Sequence, residues 1–415
     1  MPDLDGELAE LRDDLHGVVR QPEVGVVVER SRQARVRRRT QFAAAGAVLV
    51  VAAAIPLLRT TLAPVGGDPG TSPAVTTTTS TTPYNPGDGY HYDVDFADAK
   101  HGFAIRSKCA GYPGRTCTGE LLVSEDGGKR WQPRAIPVEL TPNTAPPRVF
   151  VFDARRVALA RYTTDGTVGG GYYTADAGLT WTPVAPAGSD TSAAIPDGGL
   201  LDVACTGVAP ECRPVLITLA PDTGRMLPLA AKLPLTKPIP TSTVRLAGGW
   251  WVTGTDPATG RAALAVTRDG RTWSVRPLPD VPDGTVYAMM AAHGTTLYAV
   301  AGSEAQSAPP RLLAVFRSVD GGSTWERTFL GSKGQSPYDL IGYPVATADG
   351  RLIIPGGVAW ASRDGGRTFD VVPSDEVTGI IRPTRGGYLA SPSFGMTNVY
   401  KLSTDGVKWT EITVH

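Results

Sequence analysis

Four stretches of this 415-residue chain set a hydroxyl residue, an aspartate, a glycine and an aromatic at one fixed spacing. They are Ser124, Asp126, Gly128 and Trp131; Thr174, Asp176, Gly178 and Trp181; Ser318, Asp320, Gly322 and Trp325; and Ser362, Asp364, Gly366 and Phe369. Two further copies are one residue shorter: Thr267, Asp269, Gly270 and Trp273, then Ser403, Asp405, Gly406 and Trp409. An aspartate–glycine loop can hold calcium, but the acidic ligand series of a calcium loop, ending in glutamate, is missing. The same residues have a structural chemistry instead. Aspartate and Ser/Thr oxygens accept backbone N–H groups of a tight turn, glycine supplies a positive φ, and the aromatic packs at the start of the next strand. Each copy therefore reads as a hairpin clasp.

The other chemically capable residues form no recognised set. His16, His91, His101, His293 and His415 share no zinc-ligand spacing with the four cysteines. No phosphate loop or nucleophile motif is present. A pair of carboxylates could still flank a glycosidic bond, but no spacing in the chain identifies such a pair. The expectation is therefore no enzyme, with no catalytic residue, metal or cofactor. A converging set of carboxylates and arginines around a central funnel would argue for a glycan hydrolase instead.

The clasps begin at residues 124, 174, 267, 318, 362 and 403, so one interval is about twice the others. Thr218 to Gly224 falls in that gap and retains Asp222 and the glycine without an aromatic. Seven units then cover residues 89–415. Strands precede each clasp, as in HYDVDFADAKHGFAIRS before the first and TVRLAGGWWVTG before the fourth. Four strands in a unit of 41–51 residues make a propeller blade. The expected fold class is all-β, a seven-bladed propeller.

The clasp pattern resembles the Asp-box, or BNR repeat, of sialidases, sortilin-type receptors, some glucanases and photosystem-assembly-factor-like proteins. The resemblance covers the propeller and not a catalytic apparatus. The Arg-Ile-Pro signature of sialidases precedes their first box, whereas the nearest string here, Arg134-Ala135-Ile136-Pro137, is interrupted and follows it.

The repeat register puts Cys109 and Cys117 across the second-to-third-strand loop of blade one, and Cys205 and Cys212 across that of blade three. Disulfides 109–117 and 205–212 are expected in an oxidising exterior. Those loops share a face with Thr163–Gly171, Gly254–Arg261 and Gly302–Arg311. On that face Tyr112, Arg115 and Tyr162 are candidate ligand contacts.

The elements before the propeller would place it outside the cell. Residues 40–58, TQFAAAGAVLVVAAAIPLL, carry no charge and follow the cluster Arg30, Arg32, Arg35, Arg37, Arg38 and Arg39. They read as one membrane-spanning helix with residues 1–39 kept in the cytoplasm. The layout resembles that of many actinobacterial single-pass membrane proteins. Leu4, Leu8, Leu11 and Leu15 recur at helical spacing, so residues 3–19 offer a helix to a cytosolic partner. Residues 59–88, rich in Thr and Pro, read as a disordered stalk. A formal net charge of zero gives nucleic acid no general attraction. The expected role is a membrane-anchored binding or sensing module for an extracytoplasmic protein or glycan.

Overall fold

The computed structural model describes residues 91–415 apart from 111–115, 139–146, 163–166, 207–212, 304–309, 333–336, 378 and 392–396. The expected tail, span and stalk lie outside the described residues. Among the described residues no helix is long and apolar enough to cross a membrane.

The described strands form seven antiparallel sheets, one per blade. Blade one comprises β1 (His91–Phe96), β2 (Gly102–Ala110), β3 (Thr116–Ser124) and β4 (Gln132–Ala135). Blade two comprises β5 (Arg148–Val151), β6 (Val157–Tyr162), β7 (Val168–Thr174) and β8 (Thr182–Val184). Blade three has β9 (Leu200–Thr206), β10 (Arg213–Leu219) and β11 (Met226–Pro228). Blade four has β12 (Thr236–Pro240), β13 (Trp250–Thr255), β14 (Ala262–Thr267) and β15 (Ser274–Arg276). Blade five has β16 (Thr285–His293), β17 (Thr296–Ser303), β18 (Leu312–Ser318) and β19 (Glu326–Leu330). Blade six has β20 (Val345–Ala346), β21 (Leu352–Ile354), β22 (Trp360–Ser362) and β23 (Asp370–Val371). Blade seven has β24 (Ile380–Thr384), β25 (Gly387–Ser391), β26 (Val399–Ser403) and β27 (Thr410–Thr413).

The clasps behave as hairpin locks. In blade two the Gly178 N–H donates to Thr174 Oγ1 at 2.8 Å, and that hydroxyl donates to Asp176 Oδ1 at 2.8 Å. Asp176 Oδ1 also accepts the Thr180 N–H at 2.9 Å, and its Oδ2 accepts the Thr180 hydroxyl at 2.6 Å. Donors so aimed hold the Asp126, Asp176 and Asp320 carboxyls down to about 2. The glycine has a separate duty. Gly178 sits at φ +89°, and a Cβ there would lie 2.6 Å from Leu121 Cδ2 of the preceding blade. Each clasp thus also seats one blade on its neighbour.

Blade three departs from the expected four strands. Its degenerate clasp lies between β10 and β11, which are therefore the third and fourth strands, and β9 is the second. Among the described residues it has no innermost strand. The stretch from Ser189 to Gly199 has no run of alternating apolar residues to build one. It runs instead toward the clasp side of blade four, where the Ile195 N–H donates to Asp269 O at 2.7 Å.

The ring closes by packing of whole blades. Blade one comprises β1–β4 and blade seven β24–β27, so among the described residues no strand is exchanged between them. Tyr92, Val94, Phe96, Ala104, Leu122 and Trp131 of blade one form one buried cluster with Leu389, Tyr400, Leu402, Ile412 and Val414. The β2–β3 register sets Cys109 directly opposite Cys117. Cys205 of β9 is disulfide-bonded, while Cys212 lies outside the described residues.

Candidate active site

Inner strands run from the loop side of the ring toward the clasp side, so their first residues surround one mouth of the central channel. In β1 the alternation is plain: Tyr92, Val94 and Phe96 are buried, His91 is exposed, and Asp93 and Asp95 are half-buried. A pleated strand gives its faces alternately to core and channel. The string HYDVDF predicts a strand, and its alternating acids share one face of it. Acidic residues at alternate positions of an inner strand were the signal that would have found them.

Five more charged or phenolic side chains, from other blades, gather around Asp93 in a linked cluster. Asp93 Oδ2 accepts the Val149 N–H at 2.8 Å, and Oδ1 lies 3.4 Å from Arg382 of β24. Arg148, at the start of β5, donates to Asp202 of β9 at 2.9 Å. The Tyr162 hydroxyl donates to the same oxygen at 3.0 Å. Tyr343 lies close enough for Asp202 and Arg148 to influence its ionisation, although burial dominates in raising it. The short blade explains Asp202. With no inner strand before β9, the second strand of blade three turns an aspartate toward Arg148 across the gap.

These contacts tune the groups differently. Burial raises the Asp95 carboxyl to about 6; Arg382 opposes this and Asp93 adds to it. Burial likewise pushes the Tyr162 hydroxyl well above its ordinary range, and the Asp202 charge pushes it further, so it stays a donor. Burial works against the charge on Arg148, and Asp202 chiefly restores it. Channel water still reaches this guanidinium, whose side chain is 48% exposed against 8% for Asp202. Asp202 is therefore the enclosed partner and Arg148 the one that can offer donors to a ligand.

The mouth opens into a cavity of about 720 Å³. Asp93, Arg148 and Arg382 stand on its wall with His91, while Met289, Leu340, Ile341, Ile380 and Ile381 make a broad apolar side. At the clasp end a second hollow of about 550 Å³ lies among Asp98, Asp153, Arg245 and Arg385. There Arg385 donates across the channel to the Gly199 carbonyl at 2.8 Å.

The residues expected on the ligand face fare unequally. Tyr162 reaches the cluster, but its hydroxyl is committed to Asp202. Tyr112 and Arg115 lie outside the described residues. The clasp residues are all remote from the mouth, as hairpin locks should be. Among the described residues no group of three or more His, Cys, Asp or Glu side chains could hold a metal ion.

No known family profile matches the chain, and no curated protein matches it. Similar solved structures do exist. The GH74 enzyme of Niastella koreensis shares 14% identity at a TM-score of 0.37, over 79% of this chain and 66% of its own. The α-L-arabinanase of Penicillium chrysogenum complexed with arabinobiose shares 15% identity at 0.39, over 79% and 93%. YCF48 bound to D1 peptide shares 16% identity at 0.31, over 79% and 83%. The likeness is one of fold. The expectation that the chain is no enzyme is nonetheless corrected. Enzymes predominate among these neighbours, which also include a Trypanosoma rangeli sialidase mutant and a Fusarium graminearum α-L-arabinofuranosidase. The funnel mouth, moreover, carries the converging carboxylates and arginines that the sequence reading set as the mark of a hydrolase.

Proposed function

We propose that the funnel is the site of a glycoside hydrolase. The observation that carries this reading is the pair Asp93 and Asp95 on one face of β1, where burial raises the Asp95 carboxyl to about 6. Hydrolysis of a glycoside needs one carboxyl that still holds its proton and one carboxylate that accepts one. Asp95 is the proton donor: its proton goes to the glycosidic oxygen as the bond from that oxygen to the anomeric carbon breaks. Asp93 is the acceptor, oriented by the Val149 N–H and Arg382. It takes a proton from water as that water bonds to the anomeric carbon. Side chains two residues apart on a strand stand roughly 7 Å apart. Such a spacing suits a water between carboxylate and sugar, and hence inversion of configuration, for which about 6.5–9.5 Å is usual. Arg148 offers its spare donors to sugar hydroxyls, and Asp202 with Tyr162 holds it in place.

The test is a panel of aryl glycosides and polysaccharides, followed by NMR of the first-formed anomer. We expect turnover with inversion, and a loss of at least about a hundredfold in kcat for Asp95→Asn and for Asp93→Asn. Turnover that survives both changes would remove the assignment. A second reading, recognition without turnover, draws on the mutual neutralisation of Arg148 by Asp202 and Arg382 by Asp93. It predicts binding by the wild type and by both variants, and no product from any of them.

The setting is also a proposal. An uncharged run behind an arginine cluster supports a membrane anchor with the propeller outside, a cytosolic partner for residues 3–19, and disulfides 109–117 and 205–212.

A further inference from the structure

At the clasp end of the channel, the turns that join first and second strands in blades one, two, four and seven enclose the hollow of about 550 Å³. Its acids are Asp98 and Asp153, and its cations are Arg245 and Arg385. The acids are committed to their own turns. Asp98 Oδ1 accepts the Lys100 N–H at 2.7 Å and the His101 N–H at 2.9 Å, and Oδ2 lies 2.8 Å from His101 Nδ1. Asp153 Oδ1 accepts the Arg155 and Arg156 N–H groups at 2.9 and 2.8 Å, and Oδ2 accepts Arg156 Nε at 2.5 Å. The ion-pair partners of these carboxylates are therefore His101 and Arg156, not the two arginines that share the hollow with them.

Backbone carbonyls hold the two arginines instead. The Gly386 N–H donates to Phe96 O at 3.1 Å, which fixes the blade-seven turn against blade one. From that turn Arg385 Nη2 donates to Gly198 O and, at 2.8 Å, to Gly199 O. Its Nε is enclosed with no hydrogen-bond partner among the described residues, and Nη1 has none among them either. Arg245 Nη2 donates to Arg268 O at 3.2 Å, and its guanidinium lies 5.6 Å from the centre of the Trp250 ring. Burial works against the charge on Arg385; Asp95 and Asp153 support that charge, while Arg156 and Arg245 oppose it. Two fixed cations thus line one hollow, near enough to repel, and neither pairs with a carboxylate among the described residues. Like charges gathered in a partly desolvated pocket are costly until a counter-charge enters.

We propose that this hollow is a binding site for a small oxyanion, the carboxylate or phosphate group of a low-molecular-weight ligand, held between Arg385 and Arg245. A guanidinium presents its N–H donors as a planar fork that matches two oxygens of such a group. Donors left over beside saturated carboxylates select an anion over a sugar, whose hydroxyls would bring further donors to a wall with few acceptors to spare. The bridge from Arg385 to Gly198 and Gly199 holds the guanidinium in place before any ligand arrives, so little ordering cost remains on binding. Ala97, Phe152, Ala154 and Val244 supply apolar surface for the body that carries the anion, and about 550 Å³ is the size of a small-molecule site. The hollow lies at the opposite end of the channel from Asp93 and Arg148, so its ligand is independent of the hydrolase reading.

The experiment is calorimetric titration of the full chain with inorganic phosphate and, separately, with benzoate, at low ionic strength held constant with chloride. At least one of the two should bind at a single site. Binding of phosphate alone identifies a phosphoryl ligand and binding of benzoate alone a carboxylate one; either supports the proposal. Arg245→Gln, at an exposed position, should weaken binding about tenfold or more, the loss expected for a hydrogen bond to a charged group, with circular dichroism as the fold control. Arg385→Gln should weaken it further, and Arg385→Lys should restore only part of that loss, because an ammonium lacks the fork. Arg148→Gln, at the other mouth, should bind the probe as the wild type does. If neither probe binds, or if chloride at equal concentration displaces the probe as well as unlabelled probe does, the site is overturned. Arg245→Gln binding as tightly as wild type would overturn it too. Binding lost in Arg148→Gln but kept in Arg245→Gln would place the anion at the loop-side mouth and overturn it equally.

Discussion

Blade three and its six neighbours solve the same packing problem with different parts. In blade two, Thr174 and Asp176 lock the turn before β8 through four hydrogen bonds. In blade three the equivalent Thr218 hydroxyl donates back to Leu200 O at 3.3 Å, and the Gly224 N–H donates to Ala220 O at 2.8 Å. The polar clasp has been replaced by a plain backbone turn. The glycine has not. Gly224 stands at φ +66°, and a Cβ there would come within 2.8 Å of Tyr173 in blade two. The clasp and the close approach of its glycine are therefore separable duties. The blade that lost the clasp, and its inner strand, still needs the glycine to seat against its neighbour. The same loss gives the channel Asp202.

The largest effect should fall where the two kinds of blade agree. Gly178→Ala and Gly224→Ala both force a residue into positive φ and into a neighbour's side chain. Each should cost about 3 kcal/mol or more in chemical denaturation. A Gly224→Ala protein as stable as wild type would end the argument that blade three keeps the seating function.

Next in size is the ion pair that exists only because blade three is short. Arg148→Leu leaves the enclosed Asp202 without its cationic partner while the Tyr162 hydroxyl still donates to it, and breaking such a pair from one side costs about 3 kcal/mol. Replacing both, as Arg148→Leu/Asp202→Leu, should recover most of that loss. A double-mutant cycle on thermal or urea unfolding checks this; equal losses in the single and double variants would contradict the pairing.

The clasp itself should show the contrast between blades. Asp176→Ala removes three side-chain-accepted hydrogen bonds and should cost about 2 kcal/mol at pH 7. Asp222→Ala should stay within about 0.5 kcal/mol, the range of surface changes away from such features. The Asp176 effect also has a pH signature. Its carboxyl is held down to about 2, so its contribution is full above the ordinary value near 4 and fades as pH falls toward 2. Urea midpoints at pH 7 and pH 2.5 would reveal it: a penalty for Asp176→Ala as large at pH 2.5 as at pH 7 would exclude the ionised clasp as its origin.

Much of this architecture was legible because clasp chemistry is local. A hydroxyl, an aspartate and a glycine within five residues lock one turn wherever they occur, so their recurrence counted the blades, and Asp222 with Gly224 marked the degenerate one. Tyr162 stands at the loop-side end of β6, where its hydroxyl joins the polar cluster through Asp202. The remainder was hidden because it depends on closure of the ring. Asp93, Arg148, Asp202 and Arg382 lie 55, 54 and 180 residues apart in turn, and only the circular arrangement of inner strands brings them to one mouth. The missing inner strand of blade three was hidden for a related reason. Counting clasps locates third and fourth strands, and says nothing about whether a first strand was built.

The smallest expected effect concerns Asp95, and its sign is opposite to that of the clasps. Burial raises this carboxyl from an ordinary value near 4 to about 6. The folded state then holds the proton more tightly than the unfolded chain. Below about pH 4 both states are protonated and Asp95 costs nothing. As pH rises through 4 to 6 the unfolded chain ionises first, and stability is lost, until above about pH 6 the full cost of the channel charge is present. Asp95→Asn should therefore stabilise the propeller at pH 8 by about 1 kcal/mol, a figure reduced from the full shift because channel water reaches the group, and should do nothing at pH 4. The same substitution should abolish turnover, since the amide has no acidic proton to give. Thermal unfolding of both proteins at pH 4 and pH 8 checks the first half, and the pH–rate profile checks the second. A wild-type kcat that fails to decline as pH rises through about 6 would show that Asp95 is not the proton donor, even if the stability difference appears as expected.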